Sequence, residues 1–104
     1  MSFEIKFYKT TRGDESVKDY LLSLSNKESA ALSACITNLK KIGMLSLPHG
    51  KKLDKDLYEI RYKKHRILYC IKEGWIILLH AFQKQTQKTP KRDLDLAIKR
   101  KKQL

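Results

Sequence analysis

Phe3-Glu4-Ile5-Lys6-Phe7-Tyr8 alternates apolar and polar residues at a period of two, the pattern of a half-buried strand. Thr10-Thr11-Arg12-Gly13 ends it. From Asp14 to Leu24 the spacing turns helical, with Val17, Tyr20, Leu21 and Leu24 recurring on one side. Ser25-Asn26-Lys27-Glu28 then fits a capping box, in which the Ser25 hydroxyl and the Glu28 carboxylate satisfy free N–H groups of a second helix. That helix carries Ala31, Leu32, Cys35, Leu39 and Ile42 on one stripe and is expected to stop at Gly43.

Beyond Gly43 the period changes. Leu47-Pro48-His49-Gly50-Lys51-Lys52 reads as a loop by its proline and glycine. Leu57 to Tyr62 and Arg66 to Lys72 read as strands, joined by the polar link Lys63-Lys64-His65. Lys72-Glu73-Gly74 turns the chain into Trp75 to Phe82, an apolar stretch broken only by His80, which suits a central strand covered on both faces. Gln83 to Thr89 is a polar loop. Thr89-Pro90 is expected to cap and start a last helix, with Leu94, Ala97 and Ile98 facing inward and Lys99-Arg100-Lys101-Lys102 trailing out. The order β-α-α-β-β-β-α defines an α+β fold, a small, largely antiparallel sheet with helices packed on it. No repeat, low-complexity segment or linker divides the chain, so its 104 residues are read as one domain, 1–104.

Composition narrows the classes. An apolar share of 41% supports one modest core. The stretch from Trp75 to Phe82 falls far short of the roughly 20 residues that cross a bilayer, so no membrane role is expected. Met1-Ser2-Phe3-Glu4 runs straight into the first alternation without an apolar leader. Cys35 and Cys70 are too few for a disulfide scaffold and lack C-x-x-C spacing. A reduced, cytoplasmic setting is therefore expected. Charge adds a partner class: 23 Lys+Arg stand against 11 Asp+Glu, a net of +12, and 16 of those cations fall in residues 49–104. A field of that sign draws polyanions, nucleic acid first, a solvated basic surface being the alternative.

Metal chemistry finds little support, because His49, His65 and His80 share no ligand spacing and neither cysteine has a close companion. Cys35 and Cys70 read as core residues, and His80 as a hydrogen-bonded core histidine. There is no Gly-rich phosphate loop, carboxylate pair or nucleophile elbow. What remains is a set of cations on the second-half strands. If the two strands around residues 63–65 form a hairpin, Arg61 and Arg66 fall close together near its tip, and parity decides whether they share a face. Lys51 and Lys52 enter from one side, and Lys84 and Lys88 leave the following strand. Guanidinium groups suit a phosphodiester through forked, charge-assisted hydrogen bonds. The competing reading pairs Arg61 with an acid and leaves the lysines in solvent.

Leu57-Tyr58-Glu59-Ile60-Arg61, His65-Arg66-Ile67-Leu68-Tyr69 and the run from Leu78 through Lys84-Gln85-Thr86-Gln87-Lys88-Thr89-Pro90 to Lys91-Arg92 resemble the RelE/ParE toxin superfamily, and more narrowly its HigB-like, phage-derived branch. The resemblance implies a RelE-like fold and a type II toxin–antitoxin toxin that enters the ribosomal A site and cleaves translated mRNA without a metal or other cofactor. It also implies a helix-turn-helix antitoxin as partner, through which alone operator DNA would be met. Carried over by position, Arg61 and Arg66 match the family's phosphate-binding strand arginines, and Lys51 or Lys52 the basic positions before them. His49 sits roughly where some HigB-like members place a histidine, Lys84 falls near the functional end of the last strand, and Lys88 and Arg92 extend the phosphate-binding set. Relatives often place a Tyr or His just after that strand, whereas this chain has Gln83-Lys84-Gln85-Thr86-Gln87. His49 is then the first choice of base and a lysine the next, since dense positive charge lowers a lysine's pKa. On the same fold a ParE-like gyrase inhibitor or a non-catalytic RNA-binding module stands as the alternative.

Overall fold

Ile5 of the first strand pairs with Ile76, far along the chain, so the sheet is closed by its most distant segments. In the computed structural model, which describes residues 3–43, 49–85 and 88–104, the order is β1 (Glu4–Phe7), α1 (Ser16–Leu22), α2 (Asn26–Ile42), β2 (Gly50–Asp54), β3 (Leu57–Tyr62), β4 (His65–Lys72), β5 (Trp75–Gln83) and α3 (Lys91–Lys102). Leu47-Pro48 of the expected loop and Thr86-Gln87 of the segment after β5 lie outside the described residues. The five strands run β1-β5-β4-β3-β2, antiparallel except for β1 beside β5.

Local chemistry accounts for the ends of α2. Ser25 Oγ accepts from the Glu28 N–H at 3.2 Å and donates to Glu28 Oε1 at 3.1 Å. Gly43 closes the helix at φ 80°, the left-handed conformation that glycine adopts without a Cβ penalty. Alternation along the strands then divides the core between two faces. Ile60, Ile67, Tyr69, Ile76 and Leu78 meet Val17 and Leu21 of α1 and Leu32 and Leu39 of α2. Leu57, Leu68, Cys70, Ile77, Leu79 and Phe82 meet Ala97 of α3, with Leu94 and Ile98 packed beside them. β5 is covered on both faces, as its apolar run requires.

Four details differ from the sequence reading. Gly50-Lys51-Lys52, read as loop, lies in the edge strand β2, where Gly50, Lys51 and Lys52 pair with Ile60, Glu59 and Tyr58. A lysine-bearing edge strand shows no apolar period because its ladder to one neighbour holds it, and charge there discourages pairing with other chains. His65, read as part of the link, opens β4 and is buried, which leaves only Lys63-Lys64 in the turn. Thr89 makes no cap, since Pro90 is the N-cap of α3 without a side-chain bond and the Thr89 hydroxyl is used elsewhere. Ile42, placed on the inward stripe, is exposed at the last turn of α2.

A bulge completes the frame. Leu68 pairs with His80 and Tyr69 with Leu78, so Leu79 is an extra residue in β5. Leu79 packs in the α3-side core, and His80 bonds Asp93 of α3, Nε2 to Oδ1, at 2.7 Å.

Candidate active site

The two-residue turn at Lys63-Lys64 sets the register that matters. Tyr62 pairs with His65, which makes Arg61 and Arg66 direct cross-strand partners. Such residues share a face, here that of Leu57, Leu68 and α3. Glu59, two residues before Arg61, shares it as well. The residue is 1% exposed, and its carboxylate lies 3.6 Å from Arg61 Nε through Oε2 and 3.8 Å from Arg66 Nε through Oε1. Thr89 donates its hydroxyl to Glu59 Oε1 at 3.1 Å, tying the segment before α3 to the same point.

Arg66 is 7% exposed and anchored by Nη1, which donates to the carbonyls of Lys63 at 2.6 Å and His65 at 2.8 Å. Its Nε is buried without a hydrogen bond among the described residues. Buried guanidinium nitrogens are seldom left that way. Desolvation lowers the Arg66 pKa first; Glu59 raises it and Arg61 lowers it again. The group stays cationic, with hydrogen-bonding capacity to spare.

Lys84 enters just past β5, its backbone N–H bonded to the Lys64 carbonyl at 2.6 Å. Burial lowers its pKa first, and the charges of Arg66, Arg61 and Lys51 lower it further against the opposing pull of Glu59. Lys51 belongs to this face through its pairing with Glu59. His49 accepts the Arg61 N–H on its backbone carbonyl at 2.8 Å, and with Arg61, Tyr62, Lys63 and Arg66 it lines an open cavity of about 260 Å³.

Arg61, Arg66, Lys84, Lys51 and His49 therefore converge. Lys52 does not: it pairs with Tyr58 and belongs to the opposite face. Lys88 is exposed beside Thr89, and Arg92 is exposed on the first turn of α3. Arg61 does pair with an acid, as the competing reading had it, but the sequence reading did not name that acid as Glu59, and it missed Thr89. Glu59 had a visible signal, an acid in step with Arg61 along Leu57-Tyr58-Glu59-Ile60-Arg61. The opposite face holds a second missed group, His65, whose Nδ1 meets the Tyr20 hydroxyl at 2.7 Å and whose Nε2 meets Glu28 Oε2 at 2.8 Å. A cation cluster around one buried acid, open to solvent on one side, is suited to gripping a phosphodiester.

The fold is that of RelE-type toxins. It is similar to a chain of the toxin–antitoxin complex RelBE2 from Mycobacterium tuberculosis, with 21% identity over 81% of this chain and 100% of that one, at a TM-score of 0.56. The family model described as Phage derived protein Gp49-like (DUF891) matches residues 19–102, and the chain belongs to that family. No curated protein matches the sequence. Among the described residues no helix is long and apolar enough to cross a membrane.

Proposed function

We propose that this protein is the toxin of a type II toxin–antitoxin pair and an endoribonuclease that cleaves translated mRNA on the ribosome. The observation that carries the reading is the cross-strand pair Arg61–Arg66, with a buried Arg66 Nε that has no hydrogen-bond partner among the described residues. Family membership and the RelE-type fold support it. The RelBE2 assembly is a toxin–antitoxin complex, which supports an antitoxin as partner here, and the helix-turn-helix type follows from the HigB-like resemblance. The setting is the cytoplasm, and operator DNA is met only through the antitoxin.

The chemistry divides among the gathered side chains. Arg61 and Arg66 take the non-bridging oxygens of the scissile phosphate and stabilise the charge that grows there in the pentavalent transition state. His49 accepts the 2′-hydroxyl proton. The 2′-oxygen then bonds to phosphorus as the bond from phosphorus to the 5′-oxygen breaks. Lys84 donates a proton to that leaving oxygen, giving a 2′,3′-cyclic phosphate and a free 5′-hydroxyl. Lys51, Lys88 and Arg92 hold flanking phosphates; Lys52, turned to the other face, meets neighbouring ribosomal RNA instead. Alignment of the message by the ribosome supplies the in-line geometry, which lowers the demand on the acid and base.

The test is cleavage of a defined message on purified programmed ribosomes by wild type, Arg61→Ala and the Arg61→Ala, Arg66→Ala double variant. Loss of one such donor costs about 10²–10³ in rate, and the pair more. Full cleavage by a folded double variant defeats the proposal. Retained toxicity with DNA damage would instead assign the gyrase-inhibitor reading.

A further inference from the structure

A carboxylate at the centre of a site for an anion needs a physical reason. Glu59 is buried, and a buried charge is tolerated only when paired and hydrogen-bonded. Its partners come from three segments: Arg61 on its own strand, Arg66 across the ladder, and Thr89 before α3. Two guanidiniums directly opposite each other repel, and the acid between them offsets that repulsion.

The separations are informative. At 3.6 and 3.8 Å the Glu59 oxygens attract both Nε groups but lie beyond a hydrogen bond. Glu59 therefore fixes where the two side chains stand without consuming their donors. Arg66 is held from its other end by the carbonyls of Lys63 and His65. Glu59 itself does not reach solvent, so it acts through the arginines rather than on RNA.

We propose that Glu59, fixed by Thr89, is the positioning residue that sets Arg61 and Arg66 side by side for one phosphodiester. This rests on the reading of the arginine pair as a phosphate clamp, and it adds a named reason for the clamp's geometry. The start of α3 is thereby coupled to the clamp, because Thr89, next to the Pro90 N-cap, carries the bond that fixes the acid.

The experiment uses Glu59→Gln, Glu59→Asp, Thr89→Val and Thr89→Ser in the full chain, with thermal melting to establish folding. The first readout is the side-chain NMR spectrum of ¹⁵N-arginine protein, alone and with a short oligonucleotide that carries 2′-deoxyribose at the scissile position as a non-reacting probe. Glu59→Gln is expected to move the Nε–H signals of Arg61 and Arg66, to leave those of Arg12, Arg92 and Arg100 in place, and to weaken the response of the moved pair to the probe. Thr89→Val moves the same two signals by less, and Thr89→Ser restores them. The second readout is cleavage on programmed ribosomes, where Glu59→Gln lowers kcat about 10²-fold through misplacement of the clamp. KM stays within about threefold, and Glu59→Asp recovers part of the rate.

Unmoved arginine signals in folded Glu59→Gln and Thr89→Val overturn the proposal. So does loss of the acid limb of the pH–rate profile in Glu59→Gln, which would make Glu59 a proton acceptor. The Thr89 variants keep the question open to measurement if Glu59→Gln does not fold. The NMR arm needs no catalysis, so a wild type that leaves mRNA intact defeats the function and not the positioning role.

Discussion

His65 Nε2 lies 2.8 Å from Glu28 Oε2, so the residue beside Arg66 in β4 is held by the capping box of α2. The Tyr20 hydroxyl meets the other ring nitrogen, which brings α1 into the same network. The tip of the β3–β4 hairpin is thus fastened to both helices on the face opposite the cation cluster.

The bond to His65 lowers the Glu28 pKa most; the Ser25 hydroxyl, the His65 charge and the Lys63 charge add to it, and desolvation opposes. A carboxyl with a depressed folded value contributes stability above its ordinary pKa and loses it as the pH falls through the folded one. The urea midpoint of wild type should therefore drop as pH goes below about 4.3. Glu28→Gln should be less stable at neutral pH and should lose part of that drop. Parallel curves for the two proteins would refute the assignment.

Lys84 offers a second handle on pH. Its pKa is lowered by burial and by Arg66, Arg61 and Lys51, so it loses its charge earlier on the alkaline side than an ordinary lysine. Affinity for a single-stranded oligonucleotide should fall as pH rises through that lowered value. Lys84→Arg should remove this fall, while Lys84→Gln should bind weakly at all pH and reduce the salt slope by about 0.7. Fluorescence anisotropy over pH and salt gives all three results; a wild-type curve identical to that of Lys84→Gln would count against a role in binding.

His80 and Asp93 join β5 to α3 through a nearly buried bond, with the His80 ring stacked on Phe82 at 5.5 Å. Asp93→Ala leaves the imidazole nitrogen without its partner and should cost about 1–3 kcal/mol. Chemical denaturation measures this directly. Ribosome-dependent cleavage by the folded variant should stay close to wild type, since the pair touches none of the proposed catalytic groups.

Gly43→Ala should be among the more damaging single-methyl additions. The backbone sits at φ 80°, and a Cβ there would lie 2.7 Å from Phe3 Cε2. The strain of a left-handed alanine alone is about 1–2 kcal/mol, before Phe3 has to move. A loss of less than about 0.5 kcal/mol in denaturation would contradict this packing.

Local chemistry was the most legible part of the chain. Ser25 and Gly43 bound α2 because caps act within a few residues of where they are written, while the Glu28 carboxylate, expected on a helix N–H, meets the Ser25 hydroxyl and His65 instead. The alternation of β1 and the apolar run of β5 likewise name their own environment. β2 escaped notice because Lys51 and Lys52 on an edge satisfy the ladder with backbone alone. The shared face of Arg61 and Arg66 depended on the turn length: with His65 in the link, the register was open, and with His65 in β4 only one pairing remains. The separation of Lys51 from Lys52 follows from the β2–β3 ladder, where Lys51 faces Glu59 and Lys52 faces Tyr58.

The parallel seam between β1 and β5 also has a consequence for biosynthesis. β1 must wait, without its neighbour, until the chain through β5 has emerged from the tunnel. Long-range closure of this kind is a late and slow event in folding. Until then β1 and the outer edge of β5 both stay unpaired, so the sheet is completed only after β5 has formed.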